Sequence, residues 1–241
     1  MRIVTLSSGT GWHVQDLRRA AAITGHELVP CAWKALSAGV ADGGPVARAG
    51  DVALDDADAV LLRTMPPGSL EQIVFRMDAV HGLHERGVRV VNPPRAIEVA
   101  VDKYLALRRL ADAGLPVPPT ITCQTLADAR AAFAQLGGDA VVKPLFGSEG
   151  FGLTRVCDAD VADRVFAAIE RIGGVIYLQR FIDHGGSDLR LLVLAGRVLA
   201  AMRRRSAGDW RTNVARGGRG EPCAVEPALA ALALRAAAAC D

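Results

Sequence analysis

The 241-residue sequence lacks the features that mark several specialised classes of protein. Its five cysteines are scattered and form no C-x-x-C motif, a distribution typical of reduced thiols in the cytosol rather than of a disulfide framework. The net charge is only +2, so a general nucleic-acid binder is not indicated. No apolar run reaches membrane-spanning length, and the N-terminus lacks the pattern of a signal peptide. We expect a cytoplasmic protein that does not associate with membranes.

Familiar site motifs are also missing. No G-x-G-x-x-G follows the first predicted strand, which argues against a Rossmann-type oxidoreductase, and no G-x-S-x-G nucleophile elbow occurs. Cys123 and Cys157 have no histidine at a recognisable spacing, so neither is a favoured nucleophile. His81 and His84 have helical spacing but no third ligand, which favours a solvated helix face over a metal site.

What is present is a globular composition, 51% hydrophobic and 22% charged, in which strands and helices alternate before Pro94. Strands are predicted at 2–6, 26–30, 51–53, 58–63 and 88–91, helices at 14–24 and 70–86, and a loop at 41–45. This alternation predicts a parallel sheet of Rossmann type. Ligands of such sheets bind beyond the carboxyl ends of the strands. Loops 8–13 and 63–68 are therefore candidates for a substrate face, although ordinary connections explain them equally well.

The second part of the chain contains further elements and one glycine-rich stretch. The pattern predicts helices at 96–113, 126–136, 160–172 and 227–240, a proline linker at 115–119, strands at 121–124 and 175–182, and a hairpin of 189–194 with 197–203. Residues 141–156 read V-V-K-P-L-F-G-S-E-G-F-G-L-T-R-V, which predicts a strand, a loop and a return strand. The loop contains Gly147, Ser148, Gly150 and Gly152.

This glycine loop (residues 147–152) follows directly on a strand that carries Lys143. Glycines allow backbone N–H groups to converge on an anion, and the lysine ammonium group adds positive charge. The stretch therefore favours a triphosphate site over the other interpretation, a β-hairpin with a flexible tip. It is not a P-loop, because no G-K-[ST] follows and the loop returns as a strand.

The order of the motifs is more specific than any single one. Asp102-Lys103 comes first, then L-P-V-P-P, the glycine loop, Q-R-F-I, D-L-R and G-D-W-R-T-N-V-A-R-G-G. In this order they resemble the ATP-grasp superfamily and, within it, the RimK-like α-L-glutamate ligases. The resemblance runs along the whole sequence and is strongest over 102–218. It implies an α/β and α+β fold with a Rossmann-like substrate domain (1–94), an ATP-grasp central lobe (95–178) and an incomplete C-terminal lobe (179–241).

The resemblance also implies a nucleotide site. Lys143 is expected at the α-phosphate region of ATP, Lys103 at a second phosphate, and the glycine loop as a lid over the β- and γ-phosphates. The main chain of a hinge strand is expected to read the adenine edge, although relatives often carry an acidic residue where this chain has Arg180. The hinge residues are Gln179, Arg180, Phe181 and Ile182. Asp188 is expected near the ribose, with Arg190 facing the site or stabilising its wall.

Three polar residues are expected where the phosphoryl group is transferred: Arg211, Asn213 and Arg216. An acyl phosphate and its tetrahedral successor are anionic, and guanidinium groups stabilise such oxygen charge. A solvated basic hairpin tip is the competing interpretation, and a site for RNA or an acidic partner is a weaker one.

The resemblance fails at the metal site. Relatives hold Mg²⁺ with an acidic residue and a later E-x-N, whereas Glu221 and Glu226 lack that spacing. We therefore assign no metal ligand in this sequence and expect the Mg²⁺ ligands beyond Asp241 in a longer protein, or, less favourably, in a second copy of a homo-oligomer. The strands that would cover apolar positions of 189–202 are expected to be missing with them.

The function implied is that of an ATP-dependent carboxylate–amine ligase. It would phosphorylate an acceptor carboxylate and let the amine of an amino acid, expected to be L-glutamate, displace the phosphate. The resemblance favours a small coenzyme such as a pterin as acceptor, as in the tetrahydromethanopterin ligase branch. The alternative is an ATP-binding module with little or no catalysis, since the Mg²⁺-ligand strands are not in this sequence.

Overall fold

A four-stranded parallel sheet organises the first unit, Met1–Glu98, in the computed structural model, which describes residues 1–9, 11–147, 149–206 and 208–241. The elements in chain order are β1 (Arg2–Ser7), α1 (Trp12–Ile23), β2 (Glu27–Ala32), β3 (Leu36–Ala41), β4 (Gly44–Ala49), β5 (Val52–Ala53), β6 (Ala59–Leu62), α2 (Leu70–Glu85), β7 (Arg89–Val91) and α3 (Pro94–Val101). The sheet order is β2–β1–β6–β7, and all three pairings are parallel. The predicted Rossmann-type sheet is confirmed.

The core of this unit lies on the sheet. Val4, Leu6 and Val60 are fully buried, as are Val80 and Leu83 from α2. Burying a side chain of this size contributes about 1.5–3 kcal/mol. The near-continuous apolar strands therefore dictate the central position of β1 and β6, because strands covered on both faces need apolar residues at successive positions.

The predicted loop at 41–45 is wrong in extent, because only a two-residue turn separates β3 from β4. Strands β3, β4 and β5 form a separate antiparallel sheet. The residues of β4 that face the core are Ala47 and Ala49, which are 1% and 4% exposed. Alanine has low strand propensity, so the hairpin carried little of the alternating pattern by which strands are recognised.

The second unit, Val99–Asp241, contains two sheets. Its elements are α4 (Lys103–Asp112), β8 (Thr120–Cys123), α5 (Leu126–Gln135), β9 (Ala140–Lys143), β10 (Thr154–Val156), α6 (Ala159–Arg171), β11 (Ile176–Arg180), β12 (Ser187–Leu194), β13 (Arg197–Arg205), β14 (Arg219–Pro222) and α7 (Pro227–Ala239). One sheet is antiparallel with order β10–β9–β11–β8, and the other has order β12–β13–β14. Within the described ranges, no helix is long and apolar enough to span a membrane.

The helices α5 and α6 cover the four-stranded sheet of this unit. Phe133 and Phe166 meet edge to face at 6.1 Å, and Phe166 is fully buried with Ile176 and Leu178. Helix α6 begins where Asp158 accepts a hydrogen bond from the N–H of Val161 at 2.9 Å. Strands β9 and β11 therefore lie at the centre of the sheet, against this apolar core.

The single helix predicted at 96–113 is in fact two helices. The side chain of Asp102 accepts hydrogen bonds from the N–H groups of Tyr104 at 2.8 Å and Leu105 at 3.0 Å, so it begins α4 and separates it from α3. An aspartate in an apolar run can either sit on a helix surface or cap a new helix. The break gives Lys103 a defined position at the first turn of α4.

Strand β14 was not predicted, because Gly220 and Pro222 make its four-residue sequence unlike a strand. It pairs with β13 at the edge of the smaller sheet. On this sheet Leu192, Leu194 and Leu199 remain 56–58% exposed.

Candidate functional site

A cleft of about 240 Å³ in the second unit collects residues from both of its sheets. The predicted site residues that line it are Lys143, Gln179, Arg180, Phe181, Ile182, Asp188, Arg211 and Asn213. They come from β9, β11, the segment after β11, β12, and the segment 209–213. Positions far apart in sequence therefore converge on one concave surface, which is how ligand sites are typically built.

Two lysines form the cationic side of this region, and we call them the lysine pair. The Nζ of Lys143 donates to the Oε1 of Gln179 at 2.5 Å, and the Nζ of Lys103 donates to the carbonyl oxygens of Gly147 at 2.8 Å and Leu145 at 3.3 Å. All three acceptors are neutral. Gln179 is itself fixed, because its Nε2 donates to the Oγ1 of Thr120 at 2.9 Å.

Both lysines of the pair have lowered pKa values. Burial lowers the pKa of Lys143, and the charge of Lys103 lowers it further. Burial also lowers the pKa of Lys103, against the opposing influence of the nearby Asp102 carboxylate. A bound anion would reverse both effects, because it stabilises the charged form of each amine. The pair is therefore suited to an anionic ligand.

The glycine loop approaches the segment that follows β13. A Cβ atom added to Gly150 would lie 2.6 Å from the Oδ1 of Asn213, and one added to Gly152 would lie 2.6 Å from the Cγ of Pro144. Both glycines also have positive φ, at +77° and +71°. Larger residues are excluded there by space and by backbone conformation. Ser148 of this loop lies outside the described residues.

Two backbone N–H groups of the predicted hinge donate to other parts of the chain, and a third is available to a ligand. The N–H of Arg180 donates to the carbonyl of Pro119 at 2.9 Å, and the N–H of Phe181 donates to that of Asp139 at 3.0 Å. Within the described part of the chain, the N–H of Ile182 has no such partner. The Nε of Arg180 donates to the carbonyl of Leu136 at 3.1 Å, so this side chain supports the structure around the hinge.

The opposite side of the cleft carries arginines that are paired with carboxylates, and we call it the arginine wall. Arg204 donates from Nε and Nη2 to the two carboxylate oxygens of Asp188, at 2.8 and 2.6 Å, and the Oγ1 of Thr212 adds a third bond at 2.7 Å. Arg211 donates from Nε to Asp209 at 2.6 Å. Each cation on this wall therefore has an anion within the chain.

These pairings also shift pKa values. Burial opposes ionisation of Asp188, but the hydrogen bonds from Arg204 and Thr212 and the charge of Arg204 outweigh it, so its pKa is lowered. Hydrogen bonding to Arg211 lowers the pKa of Asp209 in the same way. Both carboxylates are anionic at neutral pH and already have cationic partners.

Six described residues of the predicted site are absent from the cleft lining: Lys103, Gly147, Gly150, Gly152, Arg190 and Arg216. The first four belong to the lysine pair and the glycine loop. Arg190 is exposed on β12, on the same face of the strand as Asp188. Arg216 lies in the short helical turn 214–216, with its guanidinium carbon 4.2 Å from the centre of the Phe151 ring. Its Nε is buried without a hydrogen-bond partner. Arg216 therefore contacts the glycine loop rather than the cleft.

Several cleft residues were missed by sequence reasoning. They are Pro118, Val141, Leu153, His184, Arg204, Trp210 and Thr212. Arg204 lies just beyond the predicted hairpin, and a register shift between Leu192 and Val193 brings it, rather than Arg203, opposite Asp188. Thr212 is 5% exposed and stands inside the motif that was singled out for its arginines.

The residues of this unit do not fit a divalent-metal site. Among the residues that the structure describes, no group of three or more histidine, cysteine or acidic residues could hold a metal ion. Asp188 and Asp209, the carboxylates of the arginine wall, are engaged by Arg204 and Arg211.

Comparison with known proteins agrees with this fold. Residues 100–241 match the model of the RimK-like ATP-grasp domain. The chain belongs to this family. A probable α-L-glutamate ligase of Teredinibacter turnerae is 30% identical over 225 residues, covering 92% of this chain and 73% of that protein.

One further relative and one solved structure are also similar to this chain. The tetrahydromethanopterin:α-L-glutamate ligase of Methanosarcina acetivorans is 37% identical over 204 residues, which is 80% of this chain but only 63% of that protein's length. The crystal structure of a RimK domain ATP-grasp protein from Sphaerobacter thermophilus superimposes with a TM-score of 0.73 at 27% identity, covering 98% of this chain and 80% of that one. The predicted family and fold class are confirmed.

Proposed function

We propose that this chain provides the ATP site of a ligase that joins the amine of L-glutamate to a carboxylate of an acceptor. The lysine pair carries this proposal, because its two partly buried ammonium groups have only neutral acceptors. Such groups are stabilised by an anion from outside the chain. The cleft beside them offers the unpaired N–H of Ile182, which suits the hydrogen-bonding edge of a base.

The reaction balances in two steps. A carboxylate oxygen of the acceptor attacks the γ-phosphorus of ATP, and the bond to the bridging oxygen breaks as ADP leaves with its electron pair. The amine nitrogen then attacks the acyl carbon, loses its proton, and expels phosphate with one oxygen of the original carboxylate. The lysine pair would hold the phosphates, while Arg211 and Asn213 would stabilise negative charge on the reacting oxygens.

The acceptor is proposed from the relatives rather than from the cleft. The Methanosarcina relative is named for tetrahydromethanopterin, and both it and the Teredinibacter relative are named for L-glutamate. We infer a small carboxylate-bearing coenzyme such as a pterin as acceptor and L-glutamate as the amine.

A labelling experiment tests this function. The chain is incubated with ATP, Mg²⁺, L-glutamate and a panel of acceptors, including pterins, whose carboxylates carry ¹⁸O. Mass spectrometry should find a glutamyl amide of one acceptor, ADP, and phosphate that contains one ¹⁸O atom. Amide without ¹⁸O in the phosphate would rule out the acyl phosphate.

A nucleotide-binding module is the second candidate, because the acidic residues near the cleft are already held by arginines. It predicts ATP binding by calorimetry without amide or ADP in the same assay. Absence of ATP binding would reject both candidates.

A further inference from the structure

Arg76 on α2 is a buried cation in the first unit. Its relative exposure is 7%, and among the described residues no other charged residue is as deeply buried. Removing a guanidinium from water is costly unless hydrogen bonds or an anion replace its hydration. The position of Arg76 therefore requires a partner.

The chain supplies only part of that partner. The Nη1 of Arg76 donates to the carbonyl of Pro66 at 2.8 Å, and within the described ranges no carboxylate forms an ion pair with this guanidinium. The less buried Arg204 and Arg86 do have carboxylate partners, Asp188 and Asp55, each at 2.6 Å. The most deeply buried arginine thus has no counter-ion, whereas two more accessible ones do.

The remaining donors of Arg76 reach the molecular surface. A guanidinium has five N–H donors in a planar fork, and one bond to Pro66 leaves most of them unused. No nitrogen of Arg76 belongs to the described side-chain atoms that are fully buried without a partner. These N–H groups can therefore meet a ligand that arrives from solvent.

The loop around Arg76 is fixed in place. It follows β6, where the N–H of Arg63 donates to Leu6 at 2.8 Å and the indole N–H of Trp33 donates to the carbonyl of Arg63 at 2.8 Å. At its other end, Ser69 and Gln72 exchange hydrogen bonds as a capping box at the start of α2. The guanidinium is thus held at the carboxyl end of a parallel strand, where ligands of such sheets bind.

Gly68 leaves the space that Arg76 needs. A Cβ atom there would lie 2.8 Å from the Oε1 of Gln72 and 3.2 Å from the Nη1 of Arg76. A side chain at this position would displace the Gln72 side chain and crowd the guanidinium.

We propose that Arg76 binds an oxyanion, and that its ligand is a carboxylate group of a substrate. A planar guanidinium matches the two oxygens of a carboxylate with parallel hydrogen bonds. Inorganic phosphate offers the same oxygen chemistry, so the two sources must be separated by experiment. Only the identity of the ligand as a substrate rests on the proposed ligase function.

The first test observes Arg76 in the unmodified chain. Arginine Nε–H resonances of ¹⁵N-labelled protein are followed by NMR during separate titrations with glutarate, L-glutamate and inorganic phosphate, and Arg76→Lys assigns the signal. We expect a saturable shift of the Arg76 signal with glutarate or L-glutamate. No shift with any of the three would overturn the proposal, and a shift with phosphate alone would overturn the carboxylate assignment.

The second test measures affinity by calorimetry with whichever dicarboxylate shifts the signal. Arg76→Gln should bind it about tenfold more weakly or worse, because a charge-assisted pair of hydrogen bonds is lost. Arg95→Gln is the matched control, since Arg95 is a half-exposed arginine of the same unit that already pairs with Glu98 at 2.8 Å, and its affinity should be unchanged. Equal affinity of Arg76→Gln and the parent chain contradicts the proposal. If Arg76→Gln does not fold, the NMR titration still decides.

Nucleotide binding is measured separately on the same samples. If the Arg76 signal responds to a dicarboxylate while ATP does not bind, the anion site stands and the ligase function fails. If ATP binds and the Arg76 signal does not respond, the anion site fails while the ATP site stands, and the labelling experiment then decides between the ligase and the nucleotide-binding module.

Discussion

The lysine pair and the arginine wall lie in the same unit but balance their charges differently. Lys143 and Lys103 donate only to neutral oxygens, whereas Arg204 and Arg211 each hold a carboxylate of the chain. The arginine wall is therefore electrostatically complete without a ligand. The lysine pair is not, and its lowered pKa values record the cost of keeping two cations close together and partly buried.

This difference separates two tasks that charged residues perform. A self-paired cation such as Arg204 joins neighbouring elements, and removing its anion leaves a poorly compensated charge. A cation with neutral partners contributes little to stability, and its charge is available for binding. Substitutions on the two sides of the cleft should therefore affect different measurements.

The largest effect is expected from Lys143→Met, which keeps the apolar stem and removes the charge. ATP affinity should fall about 100-fold or become undetectable, because a buried charge-assisted contact to phosphate is lost. Thermal stability should rise or stay the same, since a repelled and desolvated cation is removed. Calorimetric titration with ATP and thermal unfolding check the two parts. If Lys143→Met is stable and binds ATP with the parental affinity, Lys143 does not belong to the ATP site.

A moderate effect on stability is expected from Asp188→Asn. The substitution leaves Arg204, whose side chain is 13% exposed, without its anion. The free energy of unfolding should fall by about 1–2 kcal/mol, a range reduced for the partial exposure of Asp188. The control is Asp163→Asn, which breaks the exposed Arg130–Asp163 pair and should be almost neutral. Urea unfolding measures the stability of both variants. If they lose equal amounts of stability, the Arg204–Asp188 pair contributes no more than an exposed surface ion pair.

The smallest effect near neutral pH is expected from titration of the lysine pair. Protonated Lys143 attracts phosphate, so ATP affinity should fall as pH rises through its lowered pKa, at a pH below the usual lysine range. The stability of the unliganded chain should rise over the same window, because the unfolded chain still holds the proton there. Binding and unfolding measured across alkaline pH should therefore have opposite slopes. Lys143→Met should remove most of this pH dependence. If the slopes are unchanged in that variant, another group causes them.

The sequence predicted those parts of the molecule that depend on local pattern. The strand–loop–strand around Lys143 follows from β-branched residues and glycines close together, and the parallel sheet follows from alternation of apolar strands with helices. The motif order led to the family, which the comparison confirms. Each of these predictions rests on residues that are close together in the sequence or on the order of motifs along it.

Features that depend on tertiary pairing were not predictable in the same way. Arg204 and Asp188 meet only because β12 and β13 adopt one register. Arg76 is one arginine among many on helices, and its burial results from the loop that ends at Gly68. The hairpin of β3 and β4 is built on alanines, which carry no clear strand preference in isolation.

The close approach of Gly150 to Asn213 means that these two positions share one small volume. A side chain at position 150 can be accommodated only if position 213 becomes smaller, and glycine at position 150 has no atoms to lose in exchange for a larger residue at position 213. The positive φ of Gly150 makes the exchange asymmetric, since position 213 can lose atoms more easily than position 150 can gain a Cβ. Among diverging sequences of this chain the two positions should therefore change together, and a mutant library should vary them as one site.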